Sequence, residues 1–450
     1  MSALIRTPRR LSILLGLLGL AVWGCGDELA TAPSFVRPAA PGGKGPTVKS
    51  TNPAFAARGI TLDVRVVGSG FDEGSRAIWA LDRDTAFGTT KVRTNSTSFV
   101  SATELVANVT IEAEASPDLY DVVVLTAGGK KGIGIELFEV TTEIIDLGAG
   151  SNSFATAVND LGQIVGWGGP GSGAFLWEEG ALTDLGVLPG MTSSAAEGIN
   201  ASGQVVGYSS NGAASRAFVW TAANGMQALA TLGGCCSQAF GINDAGEIVG
   251  TSTPPGNDAA THAVIWRNGV ITDIQAPTFA TGSSQAWNIN NAGEVVGTYF
   301  GGPGRSYRWT SAGGMQLLRP PTAFGDEAIG INDEGQIVGW AEPAAGGNNQ
   351  AYVWTDGVFA ELGTLGGTSS VAMDVNESGQ VVGRTDTGLR RSGALQHVAF
   401  LWTPGDGMRS LGLSSGTDYA WAFDINESGW VVGAAWQARG FSQATLWRIQ

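Results

Sequence analysis

Short apolar runs dominate this chain from Thr47 onward, and most alternate with polar residues before a glycine ends them. The stretch "TLDVRVVGSGF" alternates and breaks at Gly68 and Gly70, and "DLYDVVVLTAGGKKGIGIELFEV" reads as a hairpin followed by a last strand. Seven or so short strands in roughly 95 residues predict a β-sandwich over 47–141. Within it Phe71 is expected in the core, and Asp72 with Glu73 in a solvated turn.

Beyond residue 142 the pattern becomes periodic. One phrase occurs seven times: "AVNDLGQIVG", "GINASGQVVG", "GINDAGEIVG", "NINNAGEVVG", "GINDEGQIVG", "DVNESGQVVG" and "DINESGWVVG". Its asparagines, Asn159, Asn200, Asn243, Asn290, Asn332, Asn376 and Asn426, lie 41 to 50 residues apart. A second phrase ends in Trp177, Trp220, Trp266, Trp309, Trp354, Trp402 and Trp447. Each copy reads as four strands: one ending at the Ile-Asn pair, then "QIVG", then "AFLW", then "LTDLG". In the first turn the Asn side chain can bond back to the turn backbone while the Gly takes a positive φ. Four-stranded units at this period predict a seven-bladed β-propeller over 142–450. An alanine stands four residues before each Asn, as at Ala155 and Ala196, where inner strands crowd an axis. The tryptophans share one phase and are expected as wedges between blades.

The last copy stops at "ATLWRIQ" without its fourth strand, whereas "EIIDLGAG" (143–150) is a fourth strand with no blade before it. The orphan is expected to complete the last blade and close the ring, leaving no open edge.

The N-terminus carries Arg6, Arg9 and Arg10, about a dozen apolar residues and then "VWGC", which predicts an export signal over 1–24. The stretch ending at Cys25 resembles the lipobox of bacterial lipoproteins. That resemblance implies lipidation of Cys25, and Gly26 after it implies the outer membrane or cell surface; ordinary signal cleavage with an incidental cysteine is the alternative. Residues 25–46, rich in Pro, Ala and Gly, read as a tether. The segment 47–141 resembles the IPT/TIG immunoglobulin-like family in "NPAFAARG", "VVGSGFDEGS" and "LYDVVVLTAGG". Residues 143–450 resemble the HAF family of extracellular repeats, clearest in "QHVAFLWTPGDGMRSLG" and "AYVWTDGVFAELGTLGG". Blades four and seven depart most, since "SYRWTSAGGMQLLRPP" loses the DLG ending. These likenesses imply architecture and an extracellular setting, with no catalytic residues.

Composition agrees with an all-β globular chain: 43% hydrophobic, 14% charged and 68 Gly. Charge is uneven, for residues 143–450 hold 26 Asp and Glu against 11 Arg and no Lys. An acidic propeller repels a phosphate backbone, so nucleic acid is not expected as a partner. No metal or cofactor is expected: His262 and His397 are the only histidines, and no D-x-D-x-D loop occurs. Cys235 and Cys236 could form a vicinal disulfide or be two small loop residues.

Function is expected where the loops vary. The Asn turn is constant, with seven residues from each Asn to the last Gly of strand two, whereas strand two to strand three runs from 11 residues (Gly166 to Trp177) to 19 (Gly383 to Trp402). On that variable face the candidates are Arg305, Arg384, Arg390, Arg391, His397, Tyr419 and Trp421, since arginine beside aromatics suits stacking on sugars or clamping an acidic group. For each, a solvated charge or a packed aromatic is the alternative, and Trp287 is a weaker candidate. G-x-S-x-G, H-E-x-x-H and P-loop signatures are absent. The sequence therefore points to a surface binding or adhesion protein with a glycan or protein ligand and a membrane link through lipid alone. A polysaccharide hydrolase or lyase with carboxylates drawn from separate blades, and a purely structural envelope role, stay open.

Overall fold

A computed structural model describes residues 45–449, apart from 53–54, 59–60, 82–90, 113–114, 116–118, 142, 170–172, 257–259, 276–281, 302–303, 319–322, 344–346, 392–393, 414–416 and 438–439. The signal, Cys25 and nearly all of the tether lie outside the described residues. Among those described, regular structure is entirely β.

The alternating segment folds as two four-stranded sheets. Thr47–Asn52, Thr61–Ser69, Glu104–Ile111 and Val92–Ser101 form one, in that spatial order; Phe55–Ala57, Lys131–Thr141, Leu119–Leu125 and Arg76–Leu81 form the other. Glu104–Ile111 buries every second residue, as a strand covered on one face must. Leu105, Ala107 and Val109 from the first sheet share a core with Trp79, Tyr120 and Phe138 from the second. Phe71 is buried there as expected. Asp72 is more than a solvated turn residue: its carboxylate accepts the Ala127 N–H at 3.0 Å and the Ser75 hydroxyl at 2.8 Å. These bonds tie the turn to a neighbouring hairpin and hold the Asp72 pKa below the usual carboxylate range, the Ala127 bond contributing most.

Each of the seven repeats forms a four-stranded antiparallel sheet in sequence order. In the second repeat the strands are Ser193–Ile199, Val205–Ser210, Ser215–Thr221 and Gly225–Ala228. The fourth repeat keeps a fourth strand, Gly314–Leu317, despite lacking the DLG ending. In the last, Tyr419–Ile425, Trp430–Trp436 and Gln443–Arg448 are completed by Glu143–Asp146, with Leu446 opposite Ile145 and Trp447 opposite Ile144. First strands of successive sheets neighbour one another, and the first strand of the first repeat meets that of the last, so the sheets close on themselves.

Packing between sheets follows the repeat phase. All seven inner alanines are fully buried, Ala239 and Ala286 for example at 0% exposure. Trp177 packs with Val432 and Leu446 of the last repeat, Trp266 with Val206 and Ala217 of the second, and Trp447 with Val382 and Leu401 of the sixth. Each of these indoles therefore fills the seam with the preceding sheet. At the junction of the two halves, the Arg58 guanidinium donates to the Arg448 carbonyl at 2.9 Å.

Candidate functional site

The repeat asparagine builds one end of the central channel. In the third repeat the Asn243 side-chain oxygen accepts the Glu247 N–H at 2.9 Å, closing the turn, while Gly246 takes φ +76°. The Asn243 side-chain amide donates to the main-chain carbonyl of Asn290 in the next repeat, at 3.1 Å. The same bond recurs from each repeat to the next, ending with Asn426 to Asn159. The constant turn is thus a hydrogen-bonded ring joining all seven sheets.

Above that ring every first strand carries a β-bulge. Its register shifts between the buried alanine and the residue two positions on, leaving one residue extra, as between Ala196 and Gly198. The same shift occurs in all seven repeats. The bulge brings the two strands close at the Gly that ends "QIVG": a Cβ on Gly250 would lie 2.0 Å from the Gln238 carbonyl oxygen. It also places the bulged residue in the channel wall. That residue is Thr156, Glu197, Phe240, Trp287, Ile329, Met373 or Phe423 in the successive repeats, and all seven line one cavity of about 730 Å³.

The cavity is the size of a small-molecule site, and aromatic side chains line it beside polar ones such as Gln238, Gln285 and Asn288. Phe240 and Trp287 lie 4.8 Å apart between ring centroids. Phe154 stacks on Trp167 at 4.6 Å and meets Phe423 at 6.3 Å. Tyr208 and Trp421 complete the aromatic lining, and among the described residues no Lys, Arg or His belongs to it.

Three acids face this space. Glu197 receives no side-chain hydrogen bond among the described residues, and enclosure by the channel walls pushes its pKa up to about 8. Asp374 and Asp424, from adjacent sheets, are hydrogen-bonded to each other. Burial first, then the Asp424 charge, raises the Asp374 pKa well above the usual carboxylate range. Asp424 accepts the Val158 N–H at 2.7 Å and Asp374 the Ile425 N–H at 3.2 Å, each reaching the next sheet. These two acids therefore staple sheets together.

The candidates from the variable face divide. Arg384 lies in the second strand of the sixth repeat, and its guanidinium sits 4.0 Å from the centre of the Trp421 ring. Trp421 packs edge-on against Trp436 at 5.0 Å, and Tyr419 stacks on Trp436 at 5.8 Å. His397 pairs with Asp386 across the sixth sheet; burial and then the Arg384 charge lower its pKa. Arg384, His397, Tyr419 and Trp421 thus form one cluster beside the channel. Arg305 is held elsewhere, its guanidinium 3.2 Å from the fully buried Asp326, which also accepts the Ser306 N–H at 2.7 Å. It is the counter-ion of a buried acid. Arg390 is exposed near the tip of the long hairpin Val381–Arg391 and Ala394–Thr403, and Arg391 stands opposite Ala394. The Cys235 and Cys236 sulfurs lie 2.7 Å apart in the loop before Ser237–Ile242, and the Cys236 N–H donates to Thr253 Oγ1 at 3.1 Å.

Glu197, Phe240, Phe423 and the aspartates were not among the sequence candidates. A signal was present: between the invariant alanine and the Ile-Asn pair, "ATAVN", "AEGIN", "AFGIN", "AWNIN", "AIGIN", "AMDVN" and "AFDIN" differ most where the bulge points into the channel.

No family model matches the chain, and no curated protein matches it. Among solved structures the chain is similar to the β-propeller domain of the trilobed protease from Pyrococcus furiosus, with 9% identity, TM-score 0.36, and 90% and 96% of the two chains covered. YCF48 bound to D1 peptide is similar at 11% identity and TM-score 0.42, over 69% of this chain and 95% of that one. TolB from Acinetobacter baumannii is similar at 12% identity and TM-score 0.36 over 54% of this chain, which spans 59% of TolB's length in that structure. At this level of likeness none of them bears on what the chain does.

Proposed function

We propose that this is a lipid-anchored surface binding protein, in which Cys25 carries the anchor, 25–46 a tether and 47–141 an immunoglobulin-like spacer. The spacer holds out a seven-bladed propeller that binds an extracellular glycan or protein. The observation that carries this reading is the cavity of about 730 Å³, walled by aromatic rings and bordered by the Arg384–Trp421 pair. Aromatic faces with a few polar groups suit a sugar or another small polar group presented by a larger ligand.

The lumenal acids bring the hydrolase reading back for comparison. Glycoside cleavage needs two carboxyls about 5 Å or more apart on either side of the bond. Asp374 and Asp424 are hydrogen-bonded to each other and to backbone N–H groups, an arrangement that suits stapling better. Binding without turnover is therefore favoured.

A glycan array probed with the whole protein tests this. Saturable binding that weakens about tenfold or more in Trp421→Ala supports it, since one stacking contact is worth about 1–3 kcal/mol. Release of shortened product would favour the hydrolase instead, and absence of binding to any glycan or envelope protein would remove both.

A further inference from the structure

Glu197 sits in the channel wall between two aromatic groups. On one side, past Thr156, are Phe154 and Trp167; on the other are Phe240 and Trp287. Tyr208 lines the same cavity, its own pKa raised by burial and then by the Glu197 charge, and the hydrogen-bonded Asp374–Asp424 pair faces the same lumen. Among the described residues no basic side chain lines the cavity, although Arg384 lies over the Trp421 ring. The site therefore holds a carboxyl without a countercharge, enclosed by rings whose faces carry negative potential. That environment disfavours anions and favours a cation able to shed its water.

We propose that the channel binds the positively charged amine of a small organic ligand, a quaternary ammonium or protonated amine, with its charge at Glu197 and its carbon substituents against the aromatic walls. This rests on the channel being a binding site and names the chemistry of its ligand. A hydrated metal ion fits less well, because no cluster of three or more metal-binding side chains occurs among the described residues. When the cation arrives Glu197 ionises: the carboxyl proton leaves to solvent and the carboxylate pairs with the ammonium.

The test uses calorimetric titration of the full chain with choline and with its neutral carbon isostere, 3,3-dimethylbutan-1-ol, in two neutral buffers of different ionisation enthalpy. Choline is expected to bind about tenfold or more tightly than the isostere, releasing up to about one proton per molecule bound. Glu197→Gln, which keeps the shape, should lower choline affinity by about tenfold and abolish the proton release while leaving the isostere unchanged. Equal binding of choline and the isostere, or proton release that survives in Glu197→Gln, would overturn the proposal. If glycans bind the protein while choline and tetramethylammonium fail at millimolar concentration, the cation inference falls and the binding reading stands. If neither class binds, both fall.

Discussion

Asn426 in the last repeat donates its side-chain amide to the main-chain carbonyl of Asn159 in the first, 2.9 Å away and 267 residues earlier in the chain. The bond completes a cycle in which every repeat asparagine both closes its own turn and holds the next sheet. One side chain at one phase thus serves local and global structure, which explains why the turn is uniform while the loops at the other end vary.

Replacing Asn243 by Ala should cost about 2 kcal/mol in urea unfolding, because the Glu247 N–H loses its acceptor and the Asn290 carbonyl is left with the Gly293 N–H alone. Asn243→Asp restores only the acceptor and should recover only part of the loss. Full recovery by Asp would mean that the bond to the next sheet contributes nothing.

Gly250→Ala should destabilise by about 3 kcal/mol or abolish folding, since the added methyl meets the Gln238 carbonyl at 2.0 Å. Gly129, where a Cβ meets nothing within 4 Å but φ is +74°, should cost only about 1 kcal/mol on the same change. Equal effects in thermal melts would argue against close strand approach as the reason for the motif.

The clasp strand can be tested without altering chain length. Ile144 and Ile145 are half-buried and pack on the sixth-to-seventh and seventh-to-first seams respectively. Replacing both by Asp should lower the stability of the whole ring by about 3 kcal/mol or more, through lost apolar burial and desolvated charge. An unchanged melting transition would show that closure by this strand is unimportant.

Glu197 and Asp374 should make stability fall as pH rises. Glu197 has a folded pKa of about 8 against the ordinary 4.5 of a solvated glutamate, so its neutral form is favoured in the fold. Stability is then full below about pH 4.5 and is lost progressively as pH climbs through about 8. Asp374 acts in the same direction. Glu197→Gln should flatten much of this slope between about pH 5 and 8 in denaturant titrations; an identical slope in the variant would exclude Glu197 as its source.

Much of this was legible along the chain. The phase of Asn, Gly, Ala and Trp anticipated the four-stranded sheets, and the orphan "EIIDLGAG" anticipated the pairing of Ile144 and Ile145 with the last repeat, because strand periodicity and turn chemistry are local. Along the chain Arg384 and Trp421 read as separate loop candidates, and the structure stacks them. Arg305, a candidate on the same grounds, is held by Asp326 of another sheet, a partner that sequence spacing cannot reveal.

What the sequence alone determined, then, is the repeating unit, its number and its turns: each rests on a side chain bonding to its own backbone within a few residues. Only the tertiary structure decided the interior. The bulge turns one variable residue per repeat into a shared lumen, so Glu197 acquires neighbours such as Phe240 and Trp287, and Asp374 meets Asp424 50 positions away. A carboxyl in solvent and a carboxyl in an aromatic channel are the same letter, and desolvation by distant residues makes the difference.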